Sequence, residues 1–189
     1  METMLKKFKS KIQHILGNSA DADPFGFENQ NIELNGQNYL FCRAVVSTIP
    51  ELLAVERAVY SGKTPIDYET FEKQLKKTSQ NLVLLVRYED RVVAYIACDY
   101  SHSEARITDI AIMPRFQKRG IAKKMLQIII GIAKKLHRKR IVLDVRQSNL
   151  EGQKFYKDLG FKEERVKHRY FADTNEDAYQ YGYTFKGEK

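Results

Sequence analysis

Apolar residues along the chain change their period several times, and each change marks an element. Leu5, Phe8, Ile12 and Ile15 recur at helical spacing beside Lys6, Lys7, Lys9 and Lys11, which predicts a basic amphipathic helix. Such a stripe can lie on a membrane surface or a partner, but more often it docks on its own domain. The polar, turn-rich segment "GNSADADPFGFENQNIELNG" follows and reads as a linker, so residues 1–36 separate from a body at 37–189. In the body "YLFCRAVV" predicts a strand. "IPELLAVERAVY" and "DYETFEKQLKK" predict helices, the second with Asp67 as N-cap. "NLVLLVRYEDRVVAYIACDYS" reads as a hairpin turning at Glu89 and Asp90, and "EARITDIAIM" as the next strand. Ile121, Met125, Ile128, Ile129, Ile132 and Leu136 form one helical face. "RIVLDVRQ" is a strand and "NLEGQKFYKDLG" a helix closed by Gly160. Two last strands, "FKEERVKHRYF" and "AYQYGYTF", flank the loop "ADTNED". The order predicts a mixed α/β (α+β) fold around a single sheet.

Composition narrows the function only a little. A chain of 189 residues can bury a full core. No apolar run reaches the roughly 18 residues of a membrane span, and the start lacks the pattern of a signal peptide. Cys42 and Cys98 stand far apart in strand-like runs with no CxxC, as reduced thiols of a cytoplasmic protein would. The net charge of +8 favours polyanions without choosing among nucleic acid, ribosomes and phosphate-rich ligands. In "KKLHRKR" a solvated helix end is the plain reading and nucleic-acid contact the sharper one. His14, His102, His137 and His168 lack metal-ligand spacing, so no metal is expected. No G-x-S-x-G elbow offers a nucleophile.

Chemistry first shows in "MPRFQKRGIA", Met113 to Ala122. Pro114 cannot donate to a ladder and ends the strand. Gly120 permits a conformation that side chains resist and lets a ligand come close. The helix after it starts with N–H groups that lack partners and with the positive end of its dipole. Lys118, Arg119, Lys123 and Lys124 deepen that potential, so the junction is suited to phosphate. It is neither a Walker loop nor a G-x-G-x-x-G fingerprint.

Two further residues need a reason. In "IVLDVRQSN" the residues Val142, Asp144 and Arg146 share a face, and aspartate is disfavoured in strands. Asp144 either forms a salt bridge, to Arg146 or to a neighbouring strand, or it has a chemical task. In "KFYKDLGF" Phe155 and Leu159 suit the core. Tyr156 then lies off the centre of that face, its hydroxyl able to reach a cleft, or it is a core tyrosine.

The succession "DIAIMP", "QKRGIAKKML", "LDVRQSN", "KFYKDLGF" resembles the GNAT superfamily of N-acetyltransferases from about Arg43 to Phe185. "VRQSN", "GKTP" and "RVKHRYFADTNEDA" are most similar to the bacterial ribosomal-protein alanine N-acetyltransferases, the RimI type. The resemblance implies a GNAT fold, with a mixed, mostly antiparallel central sheet flanked by helices, and acetyl-CoA as cosubstrate. It implies that Ile110, Ala111 and Ile112 offer backbone groups to the pantetheine arm. Lys118, Arg119, Gly120, Ile121, Ala122 and Lys123 would wrap the pyrophosphate, and Asn149 would touch the cosubstrate near its thiol end. Tyr156 would be the general acid. The family's basic glutamate is replaced here by Asp144, one methylene shorter, which would act through water.

Such a base suits an α-amine better than a lysine. Deprotonation at pH 7 costs roughly 1 kcal/mol for an α-amine with a pKa of about 7.7–8.0, against about 4.6 kcal/mol for a lysine near 10.4. Asp173, Glu176 and Asp177 could greet a cationic peptide N-terminus, or could simply be a solvated loop. The expectation is direct acetyl transfer to the N-terminal α-amine of a protein, such as a ribosomal protein. A small-molecule amine is the alternative acceptor, and a non-catalytic binding module of the same fold is the alternative that Asp144 supports.

Overall fold

The computed structural model describes residues 23–185, and the expected helix over Leu5–Ile15 lies outside them. One sheet of eight strands runs through the molecule: β1 (Gln30–Leu34), β2 (Gln37–Arg43), β3 (Asn81–Tyr88), β4 (Arg91–Asp99), β5 (Ala105–Ile112), β6 (Arg140–Arg146), β7 (Lys162–Phe171) and β8 (Glu176–Thr184). The spatial order is β1-β2-β3-β4-β5-β6-β8-β7. Every neighbouring pair is antiparallel except β5–β6. The helices are α1 (Ile49–Val59), α2 (Tyr68–Lys76), α3 (Ile121–Lys135) and α4 (Leu150–Asp158).

Alternation along the strands gives the sheet two apolar faces, each covered by two helices. On one, Leu82, Leu84, Ile96, Ile107, Ile141, Leu143 and Val145 pack with Met125, Leu126 and Ile129 of α3 and Tyr156 of α4. On the other, Val83, Leu85, Tyr95, Ala97 and Ala111 pack with Leu52 and Val55 of α1 and Phe71 and Leu75 of α2. Burying each such large apolar side chain stabilises the fold by about 1.5–3 kcal/mol. Asp67 caps α2 as expected, its Oδ1 accepting from the Thr70 N–H at 2.8 Å.

The linker reading of the segment up to Gly36 is corrected where the structure describes it. Asn35 and Gly36 have φ of 50° and 75° and close a two-residue hairpin between β1 and β2, a loop whose right-handed strand twist favours positive φ at both positions. Phe25 is buried beneath the Arg43 guanidinium, which also binds Asp23 at 2.8 Å. Residues 23–36 are thus built into the same sheet and core as the rest. Glu89 and Asp90, with φ of 47° and 64°, form the second such turn, as the sequence predicts.

Two irregularities place the site. The parallel pairing of β5 with β6 covers only Ala105–Ile107 against Ile141–Leu143, after which the strands separate. On its other edge β5 carries a bulge. Ala97 pairs with Asp109 and Cys98 with Ile107, leaving Thr108 as the extra residue.

Candidate active site

The split between β5 and β6 is a cleft whose two lips hold most of the expected site residues. On the β5 lip, Ile110, Ala111 and Ile112 pair with β4 on one edge and have no strand partner on the other. Such an edge presents backbone donors and acceptors to an extended ligand. The Ile112 carbonyl already accepts from Gln117 Nε2 at 3.1 Å. Below this lip the chain turns through Pro114–Phe116 into α3.

Gly120, with φ of 85°, is the N-cap of α3 and brings no side-chain cap, and the first turn holds no acidic residue. The first N–H groups of a fifteen-residue helix are therefore open to an anion. A Cβ placed on Gly120 would meet no atom within 4 Å, so the space in front of that turn is free. Lys118, itself at φ 60°, reaches Glu151 at 3.3 Å on the surface. Arg119 turns away from the helix end, donating to Gln37 Oε1 at 2.5 Å and stacking on Phe116. Ile121 is buried, so only its backbone faces the turn, whereas Ala122 is half-buried and Lys123 exposed. The helix end and the backbone edge fit a pyrophosphate carrying a polar arm.

On the other lip, Asn149 caps α4, its Oδ1 accepting from the Gly152 N–H at 2.9 Å. Tyr156 takes the core placement, the second of the two that the sequence leaves open. It is 5% exposed, whereas Phe155 and Leu159 are only half-buried at the margin of the core. The inward face of α4 runs through Gln153 and Tyr156, and the tyrosine ring packs against Phe155, Phe161 and Tyr181. Burial raises its hydroxyl pKa, and the Asp109 and Tyr60 charges raise it further.

Asp144 lies on the α1 side of the sheet, as the strand alternation predicts. Its Oδ2 accepts from Arg106 of β5 at 3.1 Å and from Lys167 of β7 at 2.8 Å. Its Oδ1 is buried without a partner. A cavity of about 120 Å³ lies here, lined by Arg106, Ile107, Thr108, Asp144, Tyr170 and Phe171. The neighbouring-strand salt bridge thus forms, whereas Arg146 goes elsewhere. It stacks on Phe171 at 4.0 Å and binds Asp173 at 2.9 Å and Glu176 at 3.6 Å.

The loop carboxylates are committed to the protein itself. Arg146 holds the Asp173 carboxyl below its ordinary range, bonds from Ser148 hold Glu176 low, and those from Arg169 and His168 hold Asp177 low. They fasten the β7–β8 turn to β6 and β7, an arrangement that neither of the two expectations for them, a waiting cation site or a solvated loop, included.

The sequence reading missed a second polar group on the α1 side. Tyr95 of β4 is fully buried, and its hydroxyl meets Glu56 Oε1 of α1 at 2.6 Å and also Asp109 Oδ2 of β5. Glu56 is fully buried too, and its Oε2 accepts from the Ile66 N–H at 3.3 Å, tying down the α1–α2 loop. Burial raises the pKa of both carboxyls, Asp109 to about 7 with help from the Glu56 charge. A signal existed: Leu52, Val55, Glu56 and Val59 follow one helical stripe, and Asp109 interrupts an apolar strand. Among the described residues no group of three or more His, Cys, Asp or Glu could hold a metal.

A model of the acetyltransferase (GNAT) family matches residues 49–161, more than half of the chain. The protein belongs to that family. It is an acyltransferase, an acetyltransferase of GNAT type. A ribosomal protein bS18-alanine N-acetyltransferase of Haemophilus ducreyi is 32% identical over 83 residues, 44% of this chain and 57% of that protein. An N-alpha-acetyltransferase of Sulfurisphaera tokodaii is 26% identical over 157 residues, 76% of this chain and 92% of that one. The crystal structure of the Escherichia coli ribosomal-protein-S18-alanine N-acetyltransferase superposes with a TM-score of 0.69 at 21% identity, covering 80% of this chain and 97% of that one. It shares the GNAT fold, including the mostly antiparallel sheet expected from the sequence. Among the described residues no helix is long and apolar enough to cross a membrane.

Proposed function

We propose that this GNAT enzyme acetylates the N-terminal α-amine of a protein, a ribosomal protein being the first acceptor to test, in the cytoplasm where such acceptors are made. What carries the reading is that relatives from both bacteria and an archaeon bear names for α-amine acetylation. The site supports it in two ways. The α1–α2 loop, tied to Glu56, and the β7–β8 turn, fastened through Arg146, border the α1 side of the split. A carboxyl titrating near neutrality also matches an α-amine, which needs roughly 1 kcal/mol to become neutral at pH 7, better than a lysine at about 4.6 kcal/mol.

In this reading acetyl-CoA is held at its pyrophosphate by the backbone of Lys118–Lys123, along its arm by Ile110–Ile112, and near its thiol by Asn149. It supplies an activated acetyl carbonyl. The neutral amine forms the C–N bond, the C–S bond breaks, and Tyr156 hands a proton to the departing sulfur. Two carboxylates on the α1 side are candidates for taking the amine proton: Asp144 through water, as the family resemblance implies, and Asp109. Positioning of amine and thioester lowers the barrier by several further kcal/mol.

The test is thiol release from acetyl-CoA with a panel of peptides. A free α-amine should be consumed, and the same peptide with its α-amine blocked and a lysine left free should not. Intact masses of ribosomal proteins from cells with and without the gene then identify the acceptor. Turnover on polyamines alone would overturn the protein-acceptor reading.

A further inference from the structure

We propose that the Glu56–Tyr95–Asp109 cluster is the proton acceptor of this site, with Asp109 the carboxylate that takes the proton from the acceptor ammonium. The inference rests on the acetyl-transfer reading and names a catalytic residue that neither the family motifs nor the sequence pattern assigned. It begins with a count of hydrogens. One tyrosine hydroxyl touches two carboxyl groups, Glu56 Oε1 and Asp109 Oδ2. A hydroxyl has a single proton to donate, so the second contact needs another, carried by one of the two carboxyls. The cluster is therefore built to hold one labile proton more than two carboxylates and a tyrosine would carry in water at neutral pH.

Location makes the proton useful. The bulge at Thr108 turns Asp109 onto the α1 face, one residue before the backbone edge of Ile110–Ile112. Tyr60 from the end of α1 and Tyr156 from α4 both feel its charge. Glu56 and Tyr60 of α1, Tyr95 of β4 and Tyr156 of α4 are the titratable groups facing it. Arg146 and Asp173 act on Tyr60 from further out. Among the described residues neither Asp109 nor Glu56 has an ion-pair partner. Asp144 has two, Arg106 at 3.1 Å and Lys167 at 2.8 Å. The rise of Asp109 to about 7 agrees with this placement.

The step balances. The ammonium gives one proton to Asp109, and the amine lone pair forms the C–N bond at the acetyl carbonyl. As the C–S bond breaks, sulfur takes the Tyr156 proton, and the phenolate recovers one from the nitrogen that has become an amide. The proton on Asp109 leaves to solvent, completing one acetyl amide, one thiol and one released proton.

The experiment is turnover of the full chain on a free-N-terminal peptide, followed as thiol release across neutral pH. Wild-type turnover should rise as the cluster loses its proton. Asp109→Asn should abolish that limb and be slower at neutral pH by roughly 10²–10⁴-fold, with the deficit shrinking as the peptide amine, at about 7.7–8.0, titrates by itself. Glu56→Gln removes a charge that raises the Asp109 pKa and should move the limb to lower pH. Tyr95→Phe removes a hydrogen bond that lowers it and should move the limb to higher pH. Asp144→Asn should keep the limb. A limb retained by Asp109→Asn, or lost in Asp144→Asn, overturns the proposal. Should Asp109→Asn fail to fold, the opposite shifts from Glu56→Gln and Tyr95→Phe support it, and unmoved limbs overturn it. A folded wild type that turns over no amine overturns the acetyl-transfer reading first, and this proposal with it.

Discussion

Asp109 and Asp144 sit on adjacent strands, on the same side of one sheet, and their surroundings are opposite. Asp144 is the centre of an ionic knot. Arg106 and Lys167 both donate to one of its oxygens, and the knot ties β5, β6 and β7 together at the end of the β5–β6 pairing. Asp109 meets a tyrosine hydroxyl that a second carboxyl, Glu56, also meets, and among the described residues it has no cation. The first surrounding is an ion pair, and in the second burial and the Glu56 charge favour the neutral acid. Residue type and strand position cannot tell these cases apart, since the difference lies in which neighbours three other elements deliver.

The comparison has meaning only if acetyl-CoA lies along β5, so the largest expected effect tests that. Gly120→Val puts a β-branched residue at φ 85°, a strain of about 1–2 kcal/mol, and its Cβ enters the free space before the α3 turn. Acetyl-CoA binding should fall below calorimetric detection in a folded protein, and unchanged affinity would remove the phosphate site. Next is Tyr156→Phe, which keeps the ring packing and removes only the hydroxyl. Turnover should drop roughly 10²–10⁴-fold with cosubstrate affinity and melting temperature nearly unchanged. Near-normal turnover would leave the tyrosine as core only.

Asp144→Asn should act on stability, leaving two cations against a neutral amide at a loss of about 1–3 kcal/mol in urea denaturation. No loss would dissolve the contrast. The smallest effect is a pH dependence of stability with two signs. Asp109 titrates at about 7 in the fold and about 3.9 unfolded, so the fold binds the extra proton between those values and stability falls as pH rises through them. Asp109→Asn should cancel that fall. Asp173, Glu176 and Asp177 lie low in the fold. Their contribution is therefore present above about 4 and lost as pH drops through the folded values.

Much of this was legible in the sequence because it is written in local terms. Pro114, Gly120 and the apolar face from Ile121 onward specify a strand end, an uncapped turn and a helix with little help from the rest of the chain. The Asn35–Gly36 turn was equally local, and polar neighbours concealed it. The burial of Tyr156 was less accessible, because the inward face of a nine-residue helix is set by the sheet beneath it. The cluster was least accessible. Glu56, Tyr95 and Asp109 lie 39 and 14 residues apart along the chain and are joined only by the packing of α1 on the sheet. Polar residues within apolar stripes were its one trace.

The extra residue at Thr108 makes the polar face of β5 a matter of parity. A strand alternates sides with every residue, so the bulge lets Arg106 and Asp109, three positions apart, look the same way. Were the strand to pair without the bulge and with Thr108 kept, either Arg106 would rotate away from Asp144 or Asp109 would turn towards α3. Deleting Thr108 would instead restore plain alternation, with Arg106 and Asp109 two positions apart and still on one side. The bulge therefore adds a residue to β5 without exchanging its two sides, and the ionic knot and the proton-holding cluster stay on the same side of the sheet.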